Sequence, residues 1–465
     1  MILVESARPK AVRDHPWAGW LAVGTVCFGA FMGQLDASIV TLTFPALQRE
    51  FEAPLAAVQW VSLAYLLALV GLVAAAGRVA DAAGRKLVYL WGFAVFTAAS
   101  AACALAPSLG WLVTFRLVQA VGAAMLQANS VALVVTSVPR HTVRAALGVQ
   151  AAAQALGLAL GPVLGGLLVG SVGWEWVFWV NVPVGVIALV AGRFLLPRTR
   201  QRTPLGRFDW SGLVLLAGAT TLLMLGISGF SGLAVPPVVA LGLLVLSAAS
   251  FVVFALRERR AANPLIDLSL LGPRPVSVGL LGAMFAYLVL FGPLALFPQV
   301  LGVEGLGGLV LTALPAGFAL SAVIAERVLP RGWSPRTRGL GGAALCVAAL
   351  GALSFAPATS VWVAVWLLVL GVGLGVYIPA NNGTVMAAFP ARAAATGGGL
   401  VNMARGLGTA LGVAVVTLSL HVGGLSGPGA VGPRLALAIL LVVGLAIAAS
   451  VALSTVRVEG AERTR

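Results

Sequence analysis

Residues 77–86 read Gly77-Arg78-Val79-Ala80-Asp81-Ala82-Ala83-Gly84-Arg85-Lys86, a short stretch dense in charge and glycine. On either side lie runs with no charged residue, 53–77 and 87–115. Each is long enough to cross a bilayer, since a membrane helix takes about 20 apolar residues. A polar turn between two such runs belongs at a membrane surface, and the rest of the chain repeats the pattern. Charge-free runs also cover 15–35, 117–139, 145–174, 176–192, 275–303 and 305–325. Two more, 210–256 and 339–391, are too long for single spans and divide at Pro236-Pro237 and at Pro357. Residues 393–433, interrupted by Arg405, and 435–456 complete fourteen predicted transmembrane helices.

Composition agrees with this count. The 465 residues are 60% hydrophobic and 9% charged, against roughly a quarter charged in soluble domains. That excludes a soluble enzyme, a DNA-binding protein and a disordered scaffold, and it predicts an all-α polytopic membrane protein. The net charge of +15 does not point to nucleic acid, because the basic residues lie in short loops where they set orientation. With the N-terminus inside, cytoplasmic loops hold Arg78, Arg85, Lys86, Arg140, Arg144, Arg198, Arg257, Arg259, Arg260, Arg336 and Arg338, among others. The predicted outer loops keep only Arg49 and Arg434. Both termini are therefore expected in the cytoplasm, with no removable signal peptide, and the chain is expected in the plasma membrane as a multi-pass protein. Cys27, Cys103 and Cys346 are isolated within apolar runs and show no metal-ligand spacing.

A weak internal repeat adds organisation. The loop at 77–86 has an echo in Ala322-Val323-Ile324-Ala325-Glu326, ending at Pro330-Arg331. Repeated halves are a common design of secondary transporters. The expected division is a six-helix bundle over 1–200, a two-helix insert over 201–262 and a second six-helix bundle over 263–465.

Ionisable residues within spans are costly and usually functional. Asp36 and Arg116 stand out. Asp36 is expected in the outer half of the first helix, facing a cavity; burial penalises its charged form, which suits it to take up a proton from outside and release it inside, or to attract a cation when ionised, the alternative being a structural carboxylate hydrogen-bonded to neighbouring helices. Arg116, expected to open the fourth helix, keeps its proton and could hold a nearby acid charged, order a polar network, or snorkel to the headgroups. In the fifth helix, Gly157, Gly161 and Gly165 recur every fourth residue beside Pro162 and Gly166, which leaves one face bare for a close or sliding neighbour. In the loop, Gly77, Asp81, Gly84 and Arg85 form a candidate gate, with Asp81 near a helix N-terminus or latched to basic groups. Trp60, Tyr65, Gln127, Asn129 and Gln154 are candidate cavity residues. No acid-paired histidine, metal-spaced cluster or phosphate-binding glycine loop is present, so no catalytic residue, metal or cofactor is expected.

Together these motifs resemble the major facilitator superfamily. Gly77 to Lys86 is similar to its loop between helices 2 and 3, Arg116 to Ala124 to its helix-4 motif, and Gly157 to Gly166 to its antiporter motif. Leu35-Asp36-Ala37-Ser38-Ile39-Val40, running to Pro45, resembles helix 1 of the fourteen-helix drug:proton antiporter branch. Trp176-Val177-Phe178, Asn181-Val182-Pro183, Asp209-Trp210-Ser211-Gly212 and Pro264-Leu265-Ile266-Asp267 are further echoes. The resemblance implies a major facilitator fold of two six-helix bundles plus a two-helix insert. It also implies export of hydrophobic small molecules such as drugs, coupled to protons by alternating access and able to confer antibiotic resistance, by a monomer in the lipid bilayer; with Asp36 the one clear acid in the spans, neutral or monocationic cargo is expected. Two rivals are an exporter of one endogenous metabolite or lipid and a transporter-like membrane sensor.

Overall fold

The structure is a computed structural model that describes residues 7–199, 209–261, 264–266, 268–301, 306–330, 332–355, 360–389, 394–424 and 431–453. Among these residues there is no strand. The long helices are α1 (Ala18–Ile39), α2 (Trp60–Ala83), α3 (Arg85–Ala104), α4 (Leu109–Ser137), α5 (Val143–Ser171), α6 (Asn181–Leu195) and α7 (Trp210–Phe230). They continue as α8 (Pro237–Glu258), α9 (Arg274–Leu301), α10 (Leu306–Val328), α11 (Pro335–Phe355), α12 (Ser360–Ala388), α13 (Ala394–Gly423) and α14 (Gly432–Leu453). Thirteen of them are long and apolar enough to cross a membrane among the described residues; in α10 the described apolar stretch is Val310–Ser321.

Their outward faces explain why they need lipid. Val238 in α8 is 81% exposed, and Leu241, Val245, Leu246 and Val252 are exposed beside it. A helix apolar on its outer face is stable only where that face avoids water. Local sequence sets several ends. Pro236 caps α8 with Pro237 in its first turn, a position where proline's missing N–H costs nothing. Gly84, at φ 115°, joins α2 to α3 in a backbone region that L side chains avoid. The sharp turn of the 77–86 stretch therefore falls at its second glycine.

Two expectations about placement change. The first helix does not end near residue 35: a 3-10 turn, Val40–Thr43, carries it into Phe44–Glu50. Asp36 consequently lies just past the middle of the continuous span Ala18–Glu50. Arg116 does not open α4, because Ser108 caps that helix, accepting from Trp111 N, and Arg116 falls two turns inside. The Pro357 division lies in 356–359, outside the described residues, as do Arg200, Arg202, Arg207, Asp267, Arg331, Arg392 and the tail from 454. The side chains of Arg140, Arg144, Ala322, Val323, Glu326 and Arg327 are also outside them.

The chain divides into two compact units, Met1–Ala217 with Gly302–Leu309, and Gly218–Leu301 with Val310–Arg465. In the first unit α5 lies directly on α1. A Cβ added at Gly157 would meet Phe31 O and Leu35 N, one at Gly161 would meet Ser38 Oγ, and one at Gly165 would meet Ile39 and Leu42. In the second unit α13 lies on α9 in the same manner, with Gly408 against Met284 O and Gly412 against Leu288 O. Glycines one turn apart let helices approach closely: backbone meets backbone at Gly157, Gly408 and Gly412, while Gly161 and Gly165 receive side chains of α1.

Candidate functional site

Side chains from three helices of the first unit, α1, α4 and α6, meet at one carboxylate. Asp36 on α1 and Arg116 on α4 are both 0% exposed, and Arg116 Nη1 donates to Asp36 Oδ2 at 2.7 Å. The other carboxylate oxygen accepts from Gln119 Nε2 at 3.1 Å and from Asn181 Nδ2 of α6 at 3.4 Å. Gln119 lies one turn beyond Arg116, so helical spacing puts both on one face; its Oε1 accepts from Arg116 Nη1 at 2.6 Å, and its Nε2 also donates to Ser100 Oγ of α3 at 2.8 Å.

The guanidinium is held on its remaining sides as well. Its Nε donates to Val61 O of α2 at 2.8 Å. Its Cζ stands 4.0 Å from the Tyr65 ring centroid and 5.8 Å from that of Phe178, an arrangement in which the electron-rich ring face attracts the cation. Arg116 Nη2 and Asn181 Oδ1 are buried without a protein partner. Both border the carboxylate, and a buried water with two to four polar neighbours commonly satisfies such atoms.

The sequence leaves Asp36 either as an acid facing a cavity or as a carboxylate hydrogen-bonded to neighbouring helices, and the second describes its contacts here. Asp36 is enclosed and its charge is already met by Arg116, so it is not a free counter-charge for a cationic compound. Of the three roles weighed for Arg116, holding a nearby acid charged and ordering a polar network both describe its contacts; snorkelling does not, because the side chain is buried. Tyr65 joins the site as the ring beneath the guanidinium. The other proposed lining residues do not join it. Trp60 begins α2 with a buried indole N–H that lacks a partner. Asn129 donates to Met125 O on its own helix, and Gln127 and Gln154 are half-buried on α4 and α5.

The glycines of α5 form the seam behind α1, with Pro162 inside the helix and Gly166 half-buried on its flank. In the 77–86 stretch, Asp81 Oδ1 accepts from Arg85 Nε at 3.0 Å and Nη2 at 2.9 Å, closing the bend at Gly84 between the two helices, while Gly77 faces Ala128. The adjacent Lys86 is buried, and its Nζ donates to Arg193 O and Leu196 O at 2.8 Å each. A cation there complements the carbonyl end of α6. Gln119, Asn181 and Ser100 were missed as site residues, although Gln119 was detectable at one turn from Arg116. Among the described residues no cluster of His, Cys, Asp or Glu could hold a metal ion.

Comparison with known proteins places the chain in a family. The Major Facilitator Superfamily model matches residues 26–413. The tetracenomycin C resistance and export protein of Streptomyces glaucescens is 33% identical over 88% of this chain and 76% of its own length. The riboflavin transporter RibZ of Clostridioides difficile is 29% identical over 85% of this chain and 87% of its own. Among solved structures, the POT family transporter PepTSo covers 94% of this chain and 98% of its own at a TM-score of 0.68 and 13% identity, a likeness of fold alone.

Proposed function

The chain belongs to the major facilitator superfamily and is a membrane transporter, not an enzyme; from that premise we propose that it exports hydrophobic small molecules, drugs among them, in exchange for protons. The buried Asp36–Arg116 pair carries the reading. As an ion pair the site is neutral. Protonating Asp36 removes the negative half and leaves the guanidinium uncompensated in a dry site, which is strongly unfavourable. The proton is therefore retained only if the surrounding helices move so that Arg116 meets water or another anion. Proton uptake and conformational change become one event, as alternating access requires. The six-helix halves over 1–200 and 263–465, the insert over 201–262, cytoplasmic termini and a monomeric state belong to the same proposal. So does a role for the Asp81–Arg85 pair and the Gly84 bend as the hinge of that movement. The relative that exports tetracenomycin C supports a drug as cargo. The riboflavin transporter supports a second reading, a single metabolite, and a panel of compounds in an efflux-deficient host separates the two.

The direct test is flux in proteoliposomes under an imposed pH gradient. Wild type is expected to move substrate against its gradient only when protons flow the other way. Asp36→Asn, and Asp36→Asn combined with Arg116→Gln, are expected to lose at least ten-fold of this driven flux. Driven flux unchanged in both variants would show that Asp36 is not the proton carrier.

A further inference from the structure

A second arginine lies within a span. Arg405 is about 16 Å along α13 from Ala394, at 1.5 Å per residue, well inside the apolar stretch Gly397–Gly423. Its Cζ stands 4.6 Å from the Tyr287 ring centroid on α9, and its Nη1 donates to Asn402 Oδ1 at 3.2 Å. The resemblance to the first unit is close: there an arginine stacks on a tyrosine at 4.0 Å and is bound by a neighbouring amide. The difference is the acid. Arg116 has Asp36, whereas Arg405 meets no carboxylate among the described residues. Nor do its neighbours offer one, since α9, α11, α12, α13 and α14 contain no Asp or Glu. Helix α10 contains Glu326, whose side chain is outside the described residues.

Arg405 and Asn402 are half-buried, so the guanidinium edge is reachable while its face is taken by Tyr287. Among the described residues one of its five N–H groups is engaged, by Asn402; a planar fork with further donors to give matches two oxygens of a carboxylate. The Tyr287 hydroxyl and Asn402 Nδ2 can add donors to the same anion. We propose that Arg405, Tyr287 and Asn402 form a binding site for an acidic group of the transported compound, a carboxylate or an ionised phenol or enol on a lipophilic frame. The missing half of the second Arg–Tyr stack is supplied by the cargo. This rests on the export reading and reverses the sign of charge that a lone Asp36 suggests.

Three probes of one shape test it: 2-naphthoate, 2-naphthamide and 2-naphthylmethylammonium, measured for binding by calorimetry on the full purified chain. Wild type is expected to bind naphthoate at least ten-fold more tightly than the other two. Arg405→Gln should bring naphthoate down to the level of the amide while leaving amide binding and melting temperature in place. Arg405→Lys, which keeps the charge without the fork, should fall between, and Tyr287→Phe should retain more of the preference than Tyr287→Leu. Equal affinity for all three, preference for the ammonium compound, or equal loss for all three in Arg405→Gln overturns the site. So does tighter naphthoate binding in Glu326→Gln, which would mean that Glu326 already occupies Arg405. Flux is read separately: acid preference without pH-driven flux of any probe removes the export reading and keeps the site. Driven flux without acid preference does the reverse.

Discussion

At Asp36 the decisive fact is its partner. Two charges removed from water are tolerable only together, and deleting one of a buried pair typically costs about 3–5 kcal/mol. Asp36→Asn and Arg116→Gln are each expected to lower unfolding stability in detergent, and the double variant by less than their sum, with a coupling of about 1–3 kcal/mol. Strict additivity would mean that the two side chains do not interact. The sequence exposes both residues as anomalies because charge is scarce in apolar runs. It cannot pair them, since residues 80 positions apart meet only through helix packing, and an acid read alone invites the assumption of an open cavity. Arg405 shows the opposite failure. It was noted as a break in a run, and its neighbour Tyr287 lies on another helix, so nothing local marked it as a site.

Helix count and most helix ends were readable because lipid demands long charge-free runs and proline punctuates them, as at Pro236-Pro237. Ends set by contacts were not: α1 runs past its first charge because Asp36 is paired, so a charge there ends nothing. The glycine spacing of α5 was visible, but its neighbour was not. The structure assigns the seam to α1, with Gly161 against Ser38. Overpacking a well-filled interface costs about 1–3 kcal/mol, so Gly161→Val is expected to lower the melting temperature and weaken flux. Trimming the facing hydroxyl with Ser38→Ala should recover part of the loss in the double variant. No recovery would mean that the strain of Gly161→Val lies elsewhere.

For the whole molecule, the charge carried per cycle follows from the two arginine sites together. If Asp36 brings in one proton while Arg405 escorts a monoanion outward, each turnover moves two positive charges inward. At about 2.3 kcal/mol per charge per 100 mV, an inside-negative potential then contributes twice what it gives for neutral cargo. In proteoliposomes with a potassium diffusion potential and no pH gradient, naphthoate export is expected to rise more steeply with voltage than naphthamide export. A monocation exchanged for one proton would be indifferent to voltage, and that outcome for naphthoate would exclude the two-charge cycle. The sign rests on the orientation expected from the positive-inside loops, and the charge of the cargo was the part that composition could not supply.

The glycine seam carries a mechanical corollary. Gly157 rests on the backbone of α1 while Gly161 and Gly165 seat the side chains of Ser38, Ile39 and Leu42, so under the proposed transport cycle the first and fifth helices are expected to swing as a single plank. If Asp36 exchanges hydrogen ions as proposed, the handover is expected to be timed by the travel of that plank and the fit of its neighbours, not by a local twist of one helix.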